Sequence, residues 1–159
     1  MRPWWLVALL LCACPVPEPE PEDWDGGVLP DGGPCPQELV VTTLDGGSFT
    51  TLGANDPLII EAGPQGGWHV WVGAHASGIP PFGTLNWTLT TGSGSIADPL
   101  KMTVRDAATQ TACGWDISYG RLGFAVNGEP WRGRTAELEA RWESNTREPV
   151  VVKRTVRLE

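Results

Sequence analysis

Leu85-Asn86-Trp87-Thr88-Leu89 alternates large apolar side chains with polar ones at every step. Successive side chains of a β-strand point to opposite faces, so this alternation predicts a half-buried strand with Trp87 in the core between two leucines. Alternating or short apolar segments recur along the chain after residue 35. No stretch has a sustained helical period with capping residues, so we predict an all-β fold.

Nine segments read as strands between turn-forming residues. They are 38–44, 48–52, 57–62, 68–76, 84–91, 99–106, 121–126, 135–142 and 150–158. The chain's 20 glycines and 15 prolines favour short elements joined by tight turns. One domain over 35–159, a sandwich or a barrel, is therefore expected.

The last two predicted strands carry a family resemblance. TAELEARW and VVVKRTVRLE resemble the closing strands of immunoglobulin-like or fibronectin-like modules of secreted bacterial proteins. The resemblance implies an immunoglobulin-like antiparallel β-sandwich.

The first residues, MRPWWLVALLLCAC, have the architecture of an export signal. Arg2 supplies a positive start, an apolar run follows over 4–11, and the small Ala13 stands before Cys14. The apolar run is about eight residues long, whereas a membrane-spanning helix needs about 20. We therefore predict a signal peptide over 1–13 rather than a transmembrane span.

Leu11-Cys12-Ala13-Cys14 resembles the bacterial lipobox, with Leu three positions before the modified cysteine and a small residue directly before it. The resemblance implies that Cys14 becomes a lipidated N-terminus carrying acyl chains such as palmitate. Cys12 is the alternative site, but the bulky Leu11 precedes it. Inner-membrane lipoproteins often carry Asp after the modified cysteine, so Pro15 favours the outer membrane of the cell envelope.

Two cysteines, Cys35 and Cys113, remain once 1–13 is removed and Cys14 is lipidated. An exported chain meets an oxidising compartment, so a Cys35–Cys113 disulfide is the leading prediction, with two unpaired thiols as the alternative. Neither cysteine has a CxxC neighbour and the two histidines are not spaced as partners, so no metal is predicted.

The segment 14–34 is predicted to be a flexible acidic tether. It alternates Pro with Glu, contains two Asp-Gly-Gly turns and has no basic residue. Pro-rich sequence favours the extended polyproline II conformation and like charges repel, so about twenty residues reach about 60 Å. We expect a spacer between bilayer and domain; a Pro-rich ligand for a partner is the alternative.

Gly63-Pro64-Gln65-Gly66-Gly67-Trp68-His69-Val70-Trp71-Val72 predicts a Gly-rich turn that feeds a strong strand. Alternation puts Val70 on the core face and His69, Trp71 and His75 on the other. His69 and His75 are about 20 Å apart along such a strand, too far to share a metal ion. His69 is predicted to be a neutral, hydrogen-bonded strand histidine that packs near Trp71.

Tryptophan is the dominant aromatic residue after the tether. Exposed tryptophans stack on sugar rings in carbohydrate-binding modules, whereas buried ones fill a core. Trp115 and Trp131 lie in loop-like sequence, so they join His69 and Trp71 as a candidate ligand platform. The alternative is that they cover the core as lids.

The charge and the motifs restrict the function. A net charge of -8 argues against nucleic-acid binding. The chain has no GxSxG, HExxH or P-loop motif, so no catalytic residue and no cofactor are predicted. Glu137 and Glu139 share one strand face, which is typical of a solvated strand.

These observations predict a non-catalytic, lipid-anchored interaction or structural module of the cell envelope with a protein or glycan partner. A carbohydrate- or small-ligand-binding module that uses surface tryptophans is the alternative. An enzyme or metal carrier would require His69 beside a carboxylate such as Glu61 or Asp116 in a concave site.

Overall fold

The computed structural model describes residues 27–29, 32–45, 47–64, 66–124 and 126–159. The predicted signal peptide, the Cys14 lipidation site and most of the tether lie outside these residues. Within the described ranges, no helix has the length and apolar character needed to cross a membrane.

Two six-stranded sheets pack face to face in the described chain, which confirms the all-β sandwich. The strands are β1 Glu38–Asp45, β2 Ser48–Thr51, β3 Pro57–Leu58, β4 Glu61–Ala62, β5 Trp68–Ser77, β6 Thr84–Thr91, β7 Gly94–Ser95, β8 Leu100–Thr103, β9 Thr109–Gln110, β10 Gly114–Gly123, β11 Thr135–Glu143 and β12 Val150–Leu158. A four-residue helix, α1 (Val104–Ala107), follows β8, and a 3-10 turn spans Glu129–Trp131.

The strand order defines a first and a second sheet. The first sheet runs β2-β1-β5-β10-β9, with β4 beside the start of β5. The second runs β3-β12-β11-β6-β7, with β8 also on β6. Neighbouring described strands pair antiparallel, except that β3 lies parallel to β12.

The core is formed by the inward faces of both sheets. Leu85, Trp87 and Leu89 of β6 are fully buried, as their alternation predicts. They face the first sheet, where Val70 and Val72 of β5 are also fully buried. The period-two pattern therefore placed the core residues of both central strands correctly.

Two tryptophan indoles hold the segment 78–83 that crosses from the first sheet to the second. Trp115 Nε1 of β10 donates a hydrogen bond to the Pro80 carbonyl oxygen at 3.1 Å. Trp142 Nε1 of β11 donates to the Phe82 carbonyl oxygen at 3.0 Å. One indole from each sheet therefore satisfies the backbone of the same connection.

A disulfide joins Cys35, just before β1, to Cys113, just before β10, across 78 residues. A β-carbon at Gly27 would lie 2.7 Å from the Ala112 carbonyl oxygen, so the preceding chain packs against the bonded cysteines. Val28 and Pro34 form an antiparallel bridge. The end of the segment predicted as tether thus folds back on the domain, with Gly27 and Gly32 at positive φ in its turns.

The predicted strand over 57–62 divides between the two sheets. Pro57–Leu58 pairs with β12, whereas Glu61–Ala62 pairs with β5. Leu58 and Ile60 are buried and the residues beside them are exposed, so the alternation is right although one continuous strand is wrong. Periodicity reports which face is buried and carries no information about the partner strand.

Two other predicted strands have different bounds. The strand over 99–106 ends early, because α1 takes over at Val104. The strand predicted over 121–126 begins at Gly114 and ends at Gly123 instead, and a β-bulge between Ile117 and Gly120 interrupts its register. The extra residue of the bulge shifts the period by one, which hides the strand from an alternation test.

We predict that replacing both Cys35 and Cys113 with Ser lowers the free energy of unfolding by about 4–5 kcal/mol, because the cross-link restricts the unfolded chain over a long loop. Urea unfolding of the oxidised chain and of the double variant measures the difference. Reduction of the wild-type chain should reproduce it, and equal midpoints would contradict the prediction.

Candidate functional site

A half-open cleft of about 470 Å³ lies where β5 begins and β10 ends. Its described lining comes from the β4–β5 turn, β5 and the end of β10: Gly63, Pro64, Gly67, Trp68, His69, Arg121, Gly123 and Phe124. Hydrogen bonds from Gly63 N to Gly67 O at 2.6 Å and from Gly66 N to Gly63 O at 3.0 Å close the turn. The predicted Gly-rich turn therefore forms one wall of the cleft.

His69 lies on the outer face of β5, yet it is only 7% exposed. A β-carbon at Gly63 would stand 3.7 Å from His69 Cε1, so the turn packs directly over the imidazole. His69 Nε2 is 3.8 Å from Glu61 Oε2, too far for a hydrogen bond. Neither ring nitrogen makes a hydrogen bond with any residue in the described ranges, so the hydrogen bond predicted for His69 is not found there.

Glu61 links His69 to Trp71. Its Oε2 atom accepts a hydrogen bond of 2.9 Å from Trp71 Nε1. The rings of His69 and Trp71 meet edge to face, with centroids 5.0 Å apart. Pairing of Glu61 with His69 across β4 and β5 sets this arrangement.

The surroundings of His69 lower its pKa from the ordinary value of 6.5. Burial is the largest cause, because it penalises the charged ring, and the positive charge of Arg121 adds to it. The Glu61 carboxylate opposes both effects in part. A neutral imidazole, as predicted, has one donor and one acceptor nitrogen.

Arg121 is the cation of the cleft. It lies opposite Trp71 in the β5–β10 register, and its exposed side chain has no ion pair or hydrogen bond with another described residue. Gly123 lies opposite His69. A β-carbon there would meet nothing within 4 Å, so the space beside the imidazole is open.

An aromatic patch, which we define as Phe49, Trp71 and Tyr119, occupies the outer face of the first sheet. Phe49 and Tyr119 meet edge to face with centroids 5.8 Å apart. A β-carbon at Gly73 would lie 3.0 Å from Phe49 Cδ1, so the Phe49 ring lies over this glycine. Tyr119 is 74% exposed, and the β10 bulge directs it outward.

The four residues of the predicted ligand platform do not form one surface. His69 and Trp71 are together. Trp115 is fully buried in the core, which corrects its placement in a surface loop. Trp131 packs against the core with its Nε1 atom buried, and the Arg134 guanidinium lies 5.2 Å from the centre of its ring. Trp131 therefore covers the core as a lid, which was the alternative to a place in the ligand platform.

Sequence reasoning missed Phe49, Tyr119 and Arg121. Phe49 is the apolar residue in an otherwise polar edge strand, which was a usable signal. Tyr119 lies in a bulge that alternation does not detect, and Arg121 follows it.

An enzyme or metal carrier would require His69 beside carboxylates in a concave site, and the structure meets this requirement only in part. His69 lies beside Glu61 in a concave site, but Asp116 pairs instead with His75, at 2.6 Å on the exposed sheet face. No described lining residue carries a hydroxyl or thiol nucleophile, and no group of three metal-ligating side chains occurs in the described ranges. Glu137 and Glu139 both bind Lys153.

No family model, curated protein or solved structure matches this chain. The sandwich therefore rests on the strand pairing itself, and its immunoglobulin-like character stays a prediction.

We predict that His69 titrates below pH 6.5, the value of an unburied histidine. Between the two pKa values, His69 is protonated in the unfolded chain and neutral in the folded one. The stability that neutral His69 contributes is therefore complete above pH 6.5 and is lost as the pH falls toward the folded-state pKa. NMR titration of the imidazole measures the pKa, and urea unfolding at several pH values measures the stability. A His69 pKa above 6.5 would contradict this prediction. A His69→Gln variant whose free energy of unfolding changes with pH as steeply as that of the wild type would also contradict it.

Proposed function

We propose that this chain is a lipid-anchored, non-catalytic binding module of the cell envelope. The aromatic patch on the first sheet carries the proposal. Its rings lie on the face turned away from the core, where solvent exposure of large apolar side chains brings no folding stability. Aromatic residues gathered on one surface are typical of contact sites for partners.

The anchor is supported by the N-terminal sequence. The export signal over 1–13 and the lipobox-like Leu11-Cys12-Ala13-Cys14 support a lipid on Cys14, and the resemblance favours the outer membrane. The Cys35–Cys113 disulfide suits the oxidising compartment that such export implies.

The geometry supports presentation of the cleft away from the bilayer. Gly27, where the tether meets the domain, contacts Cys113 beside the end of β5. The cleft lies at the start of β5. The ten residues of β5 separate the two ends by about 30 Å.

The charge distribution supports a spacer role for the tether. Of the 19 acidic residues, six lie in the segment 15–34, which has no basic residue. Like charges extend such a segment and keep it away from anionic lipid headgroups.

We predict that Cys14→Ser abolishes lipid labelling, because the thioether requires the Cys14 sulfur. Cells are grown with an alkynyl palmitate analogue, and the label on the isolated chain is measured together with its intact mass. Cys12→Ser is the matched control and should keep the label. Loss of the label from Cys12→Ser, or a labelled Cys14→Ser chain, would contradict the anchor.

We predict that benzoylphenylalanine at position 119 forms a discrete photo-adduct in intact cells, because Tyr119 is the most exposed ring of the patch. The same group at Thr155, on the outer face of the second sheet, is the control and should form none. Equal adducts at both positions, or none at either, would exclude the patch as a contact surface.

A glycan is the second candidate partner. The aromatic rings present apolar faces, and the Glu61 carboxylate on the indole N–H of Trp71 adds a polar edge, a combination suited to sugar rings. The same experiment separates the two classes: a protein partner leaves cross-linked peptides from one second chain, whereas a glycan leaves sugar masses on the peptide that contains position 119.

A further inference from the structure

We propose that the cleft between the β4–β5 turn and the end of β10 binds a small hydroxycarboxylate. This site adjoins the aromatic patch at Trp71, which meets His69 edge to face, but it does not require a partner at Tyr119. The cleft volume of about 470 Å³ is within the range of small-ligand sites, which is about 300–1,000 Å³.

The Arg121 guanidinium is the group that selects a carboxylate. Its fork of N–H donors matches the two oxygens of a carboxylate in bidentate geometry. Arg121 lines the cleft and has no ion pair or hydrogen bond with another residue of the described chain, so its donors are available. A cation without a described partner at the edge of a half-open cleft is the arrangement that an anionic ligand requires.

His69 selects the neighbouring group of the ligand. Its side chain is more than nine-tenths buried, lines the cleft and lacks a hydrogen bond to any described residue. The Glu61 carboxylate faces Nε2 and favours a proton there, which leaves Nδ1 as an acceptor. A hydroxyl group next to the carboxylate would supply the missing donor.

The surroundings of the cleft further restrict the size and the charge of the ligand. Trp68 and Phe124 also line the cleft, and the Gly-rich turn supplies backbone without side chains. Glu61 lies beside the site, so a doubly charged phosphate would meet repulsion that a singly charged carboxylate meets less. The chemistry therefore favours a monocarboxylate with hydroxyl groups over a phosphate.

The test is NMR titration of the full mature chain in detergent micelles with glucuronate and with lactate. Both should shift the signals of Arg121, His69 and Gly67 saturably. Glucose, which lacks the carboxylate, should leave these signals unchanged, and inorganic phosphate above neutral pH, where it is mostly doubly charged, should shift them less than either hydroxycarboxylate. Equal shifts with phosphate, or no saturable shift with either hydroxycarboxylate, would overturn the proposal.

Two variants test the site by different routes. Arg121→Gln removes the charge of an exposed side chain and should weaken glucuronate binding by about tenfold or more. Gly123→Leu fills the open space beside His69 and should weaken binding to a similar extent. Gly92→Leu, which also projects into open space but lies in the β6–β7 turn, is the matched control and should bind as wild type.

Thermal unfolding shows whether each variant is folded. If Gly123→Leu does not fold, Arg121→Gln still tests the site. Wild-type affinity in Arg121→Gln, or equal loss in Gly92→Leu, would exclude the cleft. Shifts confined to Tyr119 and Trp71 would also exclude it and leave the aromatic patch as the ligand surface. The photo-adduct at position 119 reports on the binding module separately.

Discussion

The hydrogen bonds from Trp115 and Trp142 to the segment 78–83 are the constraint on which the arrangement of the two sheets depends. A buried indole N–H needs an acceptor, and the carbonyl groups of a segment crossing between sheets need donors. Here the indole N–H groups donate to the carbonyl oxygens of the crossing segment, with one tryptophan from each sheet. The sheets are thereby held at the end where β5 gives way to β6, with Trp87 packed between them.

The tryptophans are divided between the core and the outer face of the first sheet. Trp115 is buried in the core, whereas Trp71 lies on the outer face with Phe49 and Tyr119. Gly73 is essential there, because a β-carbon at this position would collide with Phe49 and with the Ile117 carbonyl oxygen. A glycine in the middle of a strand weakens it, and here the gain is an aromatic side chain that reaches across the sheet.

The two ends of the first sheet have different roles. At one end, the disulfide and the chain around Gly27 connect the domain to the proposed tether. At the other end, the β4–β5 turn covers His69, and Arg121 has no ion pair or hydrogen bond with another described residue. The strand β5 spans the sheet between these two ends, so the cleft and the attachment of the proposed tether lie at opposite ends of the same strand.

Local pattern by itself predicted the all-β class, the core residues of β5 and β6 and the closeness of His69 to Trp71, and it made the Cys35–Cys113 disulfide the leading expectation. Each follows from the period of a strand, from compartment chemistry or from spacing within one segment. The tertiary structure decided the division of 57–62 between sheets, the burial of Trp115, and the meeting of Phe49 with Tyr119 and of Arg121 with His69. These depend on which strands become neighbours and on the β10 bulge, and strand periodicity carries no information about either.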